Sequence, residues 1–162
     1  MKTSNLLPFI VVLFILSSAF AKILMAQNNP KAQKLTKKEQ KILKVVESHS
    51  AQSIAFLEKV VNINSGTLNA EGVKEVGEVF AQEFKNIGFT TNWIEMPAEM
   101  NRAGHLFATT EGKKGKRLLL IGHLDTVFEE DSEFQKFEMV NDSFCKGQTA
   151  NEMKGGNVVV LY

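Results

Sequence analysis

Leu118-Leu119-Leu120-Ile121-Gly122-His123-Leu124-Asp125-Thr126-Val127 is the stretch from which the fold is read. Four large aliphatic residues in a row, without the alternation of a half-exposed strand, predict a central strand over residues 117–122, covered on both faces. The strand runs straight into His123 and Asp125. That position, just beyond the C-terminal end of a buried strand, is where open α/β sheets hold their ligands. An imidazole that binds a metal through one nitrogen commonly gives its other N–H to a carboxylate, which fixes the tautomer. His123 is therefore a candidate metal ligand, and Asp125 a candidate catalytic carboxylate that orients it. A histidine with a purely structural role is the competing reading of the triplet taken alone.

Downstream, Gly147-Gln148-Thr149-Ala150-Asn151-Glu152-Met153-Lys154-Gly155-Gly156-Asn157 reads as a loop running into a helix start. Glu152 falls at or near the first turn, where the helix dipole and free N–H groups favour an anion. Gly155 and Gly156 allow close backbone approach. The alternative is that Glu152 only caps the helix and the glycines only relieve packing.

Upstream, residues 89–96 and 103–109 are rich in β-formers and read as a hairpin, with Glu111-Gly112-Lys113-Lys114-Gly115 as the turn before the central strand. Two helices come before the hairpin. The first follows a Thr36/Glu39 capping box and carries Leu43, Val46, Ser50, Ile54, Leu57 and Val61 on one stripe, ending at Asn64-Ser65-Gly66. The second covers residues 70–87, with Val73, Val76, Phe80, Phe84 and Ile87 on one face and Gly88 as its stop. A third helix is expected from Met153 to Tyr162. The class is α/β, a mixed sheet flanked by helices.

The first 26 residues differ from the rest. Lys2, the apolar residues 6–20 and Ala19-Phe20-Ala21 have the layout of a cleaved secretory signal. Residues 27–35 form a polar linker, and 36–162 the folded domain. The location implied is periplasmic or secreted. An uncleaved N-terminal anchor, extended by Ile23, Leu24 and Met25, is the alternative and the one membrane contact expected. The single Cys145 excludes an intrachain disulfide and is expected to be at least half-buried.

The chain has 162 residues, room for one domain. With 44% apolar and 23% charged residues it has the composition of a protein with a packed core. The net charge of +1 carries no sign of a nucleic-acid partner. The lysine run between Lys31 and Lys44, and the acidic run Glu129, Glu130, Asp131 and Glu133, read as solvated surface.

The strand-end GHLDTV followed by MKGGN resembles the N-terminal catalytic half of the zinc peptidase and amidohydrolase superfamily that includes glutamate carboxypeptidase, acetylornithine deacetylase and succinyl-diaminopimelate desuccinylase. The resemblance runs from about Val45 onward, with the two motifs in the family's order. It implies an incomplete zinc-peptidase-like catalytic domain, two zincs per complete site, and hydrolysis of amide bonds in peptides or acyl-amino acids. His123 resembles a zinc ligand and Asp125 its orienting carboxylate, while Glu152 stands where the family has an aspartate bridging both metals. Glutamate is longer by a methylene, in a kind of site where ligand distances tolerate about 0.2 Å. Gln148 and Thr149 also replace a usual Pro-Gly pair. The family's glutamate base, its other carboxylate ligands and its second zinc histidine belong to segments beyond Tyr162. His49, on a helix face, and His105, in the hairpin, read as structural. The functional expectation is an exported zinc-dependent metallopeptidase present as an N-terminal fragment, inactive alone. A non-catalytic secreted remnant or peptide-binding domain and a membrane-anchored partner protein are the alternatives, and substrate and oligomeric state stay open.

Overall fold

The computed structural model describes residues 34–112 and 114–162. The expected signal and most of the linker, residues 27–33, lie outside the described residues. The chain divides into two units, one ending at Leu43 and one comprising Lys44–Tyr162, with the division inside the first described helix, α1 (Lys37–Ser48). Among the described residues no helix is long and apolar enough to cross a membrane.

In the first unit the capping box forms as read. The Thr36 N–H donates to Glu39 Oε2 at 2.7 Å, and the Glu39 N–H donates to Thr36 Oγ1 at 3.2 Å. The Thr36 backbone N–H foremost, and the Thr36 side chain after it, hold the Glu39 carboxyl below its ordinary pKa.

The second unit holds α2 (Ser50–Val61), α3 (Ala70–Asn86), strands β1 (Thr90–Glu95), β2 (Gly104–Thr109), β3 (Glu138–Asn141) and β4 (Phe144–Lys146), and α4 (Met153–Leu161). One long helix was expected where α1 and α2 stand. His49 interrupts it: its ring Nδ1 lies 2.8 Å from the Val45 carbonyl, and its own N–H bonds Val46 O instead. Ser48 Oγ also donates to Val45 O, so side chains occupy the acceptor that a continuing helix needs. The break re-phases the apolar stripe. Phe56, Val60 and Val61 become the buried residues of α2, while Leu43, Val46 and Ile54 stay exposed. The helix also ends earlier than Asn64, with Asn62 at its C-cap.

Helix α3 matches its signals closely. Asn69 Oδ1 accepts from the Gly72 N–H at its start. At its end Gly88 takes φ +90°, its N–H bonds Lys85 O, and the Phe89 N–H reaches Phe84 O, a Schellman motif that strongly favours glycine. Val73, Val76 and Phe80 are buried as expected, whereas Ile87 is exposed.

The α/β class is borne out, with helices beside two small antiparallel sheets. Strands β1 and β2 pair as the expected hairpin, from Thr90 opposite Thr109 to Glu95 opposite Gly104. Alternate residues of β2, Leu106 among them, turn toward α3 and the core. The expected strand over 117–122 is not formed. Leu118, Leu119, Leu120 and Ile121 are 66–86% exposed, and no sheet includes them among the described residues. An apolar run becomes a central strand only beside partner strands and between covering layers; here β1 and β2 pair with each other, and the helices bury their faces on one another and on that hairpin.

A second hairpin, β3–β4, was not read from the sequence. Its turn is closed by Asn141 Oδ1, which accepts from the Ser143 and Phe144 N–H groups at 2.9 and 3.1 Å. Cys145 lies in β4 and is exposed, contrary to expectation, because this two-stranded ribbon buries none of its residues. The core joins α2, α3 and α4 through Phe56, Val60, Val76, Phe80 and Val158. Phe56 and Phe80 meet edge to face at 5.2 Å between centroids.

Candidate metal and catalytic site

The loop after α2 and the segment carrying His123 run side by side. The Thr126 N–H donates to Ser65 O at 2.8 Å and the Thr67 N–H to Thr126 O at 3.0 Å, making a parallel bridge between Gly66 and Thr126. Asn64 supports this loop from below through bonds to Phe128 O and Gln135 Oε1. On the other side, Asn157 of α4 donates to the His123 carbonyl at 2.8 Å. His123 is thus tied to the same helix that Glu152 begins.

His123 Nδ1 lies 3.1 Å from Asp125 Oδ1 and 3.0 Å from Asp125 O. A carbonyl and a carboxylate only accept, so Nδ1 carries the proton and the neutral ring keeps its lone pair on Nε2. That nitrogen faces Glu152 Oε1 at 3.9 Å. Side-chain exposures of 48%, 34% and 61% for His123, Asp125 and Glu152 leave all three open to a ligand from solvent.

Glu152 is the N-cap of α4, but its side chain makes no capping bond, so the capping alternative is set aside and the carboxylate is free to face His123. The turn before it is strained. Thr149 has φ +55°, the left-handed region that a β-branched residue rarely adopts. Gln148 is fully buried; its Nε2 donates to Val61 O and Gln135 O, and its Oε1 accepts from Thr126 Oγ1 at 3.3 Å. The loop is held by this polar network where a rigid proline turn is absent. Of the two glycines, Gly155 is required, since a Cβ there would collide with the Ala150 carbonyl; one at Gly156 would meet only the flexible end of Met153. Lys154 is buried and donates to Ile63 O at 2.8 Å, and burial pushes its pKa down to about 8.

The donor chemistry fits zinc: one imidazole nitrogen with a free lone pair and one carboxylate oxygen. Ligands on a tetrahedral zinc lie about 3.3 Å apart, so the 3.9 Å gap asks for a small closing movement of two exposed side chains. Among the described residues no group of three or more potential ligands gathers, so His123 and Glu152 are the pair offered here. His49 sits at the α1–α2 junction, its ring 6.2 Å from that of Tyr162, and His105 is an exposed residue of β2. Beside Glu152 a groove of about 460 Å³ between α2 and α4 is lined by Ile54, Leu57, Val158 and Val159.

The sequence reading did not single out Thr67, and it gave no role to Gln148 as a buried anchor, to Lys154 as a buried donor or to Asn157 as a partner of His123. Thr67 was visible as the polar residue following the Ser65-Gly66 turn. Nothing in the sequence marks a glutamine or a lysine as buried, because such residues are usually on the surface.

Fold and site together define an α/β protein with a solvent-open histidine–carboxylate pair facing a helix-terminal glutamate. The chain is similar to Carboxypeptidase G2 of Pseudomonas sp. (strain RS-16), with 35% identity over 109 residues, 67% of this chain. The match covers 26% of that relative, so the chain spans about a quarter of the length of the protein it resembles. No protein-family model matches the chain.

Proposed function

We propose that the chain carries part of the active site of a zinc-dependent, carboxypeptidase-like enzyme that hydrolyses amide bonds in peptides or acyl-amino acids. Similarity to Carboxypeptidase G2 supports a peptidase-like function. The observation that carries the reading is His123, with Nδ1 held by Asp125 and Nε2 turned to Glu152. In this reading His123 and Glu152 hold metal, two zincs complete the site, and Asp125 keeps the imidazole in the metal-binding tautomer. When bound by these residues, zinc would supply Lewis acidity for amide hydrolysis. A catalytic zinc usually takes three protein ligands, so this chain alone holds metal weakly and does not turn over substrate. Lys2, the apolar residues 6–20 and Ala19-Phe20-Ala21 support export to the periplasm or beyond.

A second reading, a secreted domain that binds peptides without catalysis, is favoured by the strained Thr149 turn ahead of Glu152. Zinc calorimetry on the whole chain, with assays on dipeptides and acyl-amino acids, tests the proposal. Weak binding of at most one zinc, abolished in His123→Ala, is expected. Zinc binding indifferent to His123→Ala would overturn the metal reading, and turnover by the chain alone would overturn the claim that its ligand set is incomplete.

A further inference from the structure

We infer that Thr67 is a positioning residue for His123, acting through Asp125. The inference rests on the proposed reading of His123 as a metal ligand, and it adds the group that sets that ligand's direction.

The Thr67 hydroxyl lies 2.6 Å from Asp125 Oδ2 and 3.1 Å from Thr126 O. It has one proton to give. The carboxylate is closer and charged, so the hydroxyl donates there, and Thr126 O already accepts the Thr67 N–H. Asp125 therefore has one oxygen on Thr67 and the other on His123 Nδ1. With Oδ2 pinned, the carboxylate plane cannot turn freely, and Oδ1 stays aimed at the imidazole. Without that bond Asp125, about a third exposed, can rotate toward water. His123 Nδ1 would then be left with Asp125 O as its nearby acceptor, and the preference for a proton on Nδ1 would weaken. The hydroxyl is itself well placed, because the Gly66–Thr126 bridge and the Thr67 main-chain bond hold its backbone against the segment that carries Asp125.

The test compares wild type, Thr67→Val, Thr67→Ala and Thr67→Ser in the full chain. The imidazole tautomer of His123 is read from nitrogen chemical shifts in the metal-free protein at one fixed pH, and zinc affinity from calorimetry with zinc alone. Wild type should show the Nδ1–H form. Thr67→Val and Thr67→Ala should both give a mixture of tautomers and about tenfold weaker zinc binding, the lower end of what partners of a ligand contribute. Thr67→Ser, which keeps the hydroxyl, should restore both. A merely structural role would not move the tautomer in variants whose circular dichroism is unchanged, nor be rescued by serine. If wild type shows Nδ1–H and all three variants keep it with unchanged affinity, the inference about Thr67 fails while the metal reading stands. If wild type itself lacks the Nδ1–H form, both fail together.

Discussion

Nε2 of His123 and Oε1 of Glu152 face each other at 3.9 Å, a lone pair opposite a carboxylate. Two acceptors in that arrangement repel unless a cation or proton lies between them, so the pair favours a metal by its own electrostatics. Removing either side should be felt differently from removing the group behind it. His123→Ala is expected to abolish zinc binding, whereas Asp125→Asn should retain it with about 10–100-fold lower affinity. Calorimetry on both variants checks this, and equal affinities would argue against separate roles.

Thr149→Gly should stabilise the chain. The left-handed conformation costs a β-branched residue roughly 1–2 kcal/mol, and glycine gives back part of that gain through its freer unfolded state. A net increase of about 0.5–1 kcal/mol in urea unfolding is expected, and a decrease would mean that the Thr149 hydroxyl bond to Gln148 O outweighs the strain.

Burial of Lys154 leads to a pH dependence of definite sign. Its folded pKa is about 8 against 10.5 for an ordinary solvated lysine, so between those values the unfolded chain binds more protons and stability rises with pH. The penalty is fully present below about pH 8 and fades toward pH 10.5, by up to roughly 3 kcal/mol. Unfolding of wild type and Lys154→Met at pH 7 and pH 10 should show wild type gaining relative to the variant. Parallel behaviour would mean that the ammonium is not buried in solution.

The exposed run at residues 118–121 should drive self-association. Four exposed aliphatic side chains in a row, on a segment outside both described sheets, form the kind of apolar patch on which other chains associate. Leu119→Lys should lower light scattering and shift the oligomer distribution to monomer, with a stability change under about 0.5 kcal/mol. A loss of 2 kcal/mol or more would show that the run is covered in solution.

Much of this structure was legible in short windows of sequence. The Thr36/Glu39 capping box, the Gly88 stop, the β1–β2 hairpin and the pairing of His123 with Asp125 all depend on residues close together in the chain, and each formed as its local chemistry dictates. What the sequence alone could not decide was burial and long-range pairing. Residues 118–121 have the composition of a central strand, yet composition does not supply neighbouring strands or covering layers, and the run lies in solvent. Gln148 and Lys154 have the composition of surface residues, yet the carbonyls of Val61 and Ile63 satisfy them in the interior. Only the tertiary structure brings Thr67 to Asp125 and turns Glu152 toward His123, because a hydrogen bond between distant segments exists only once the core of α2, α3 and α4 has set where those segments run.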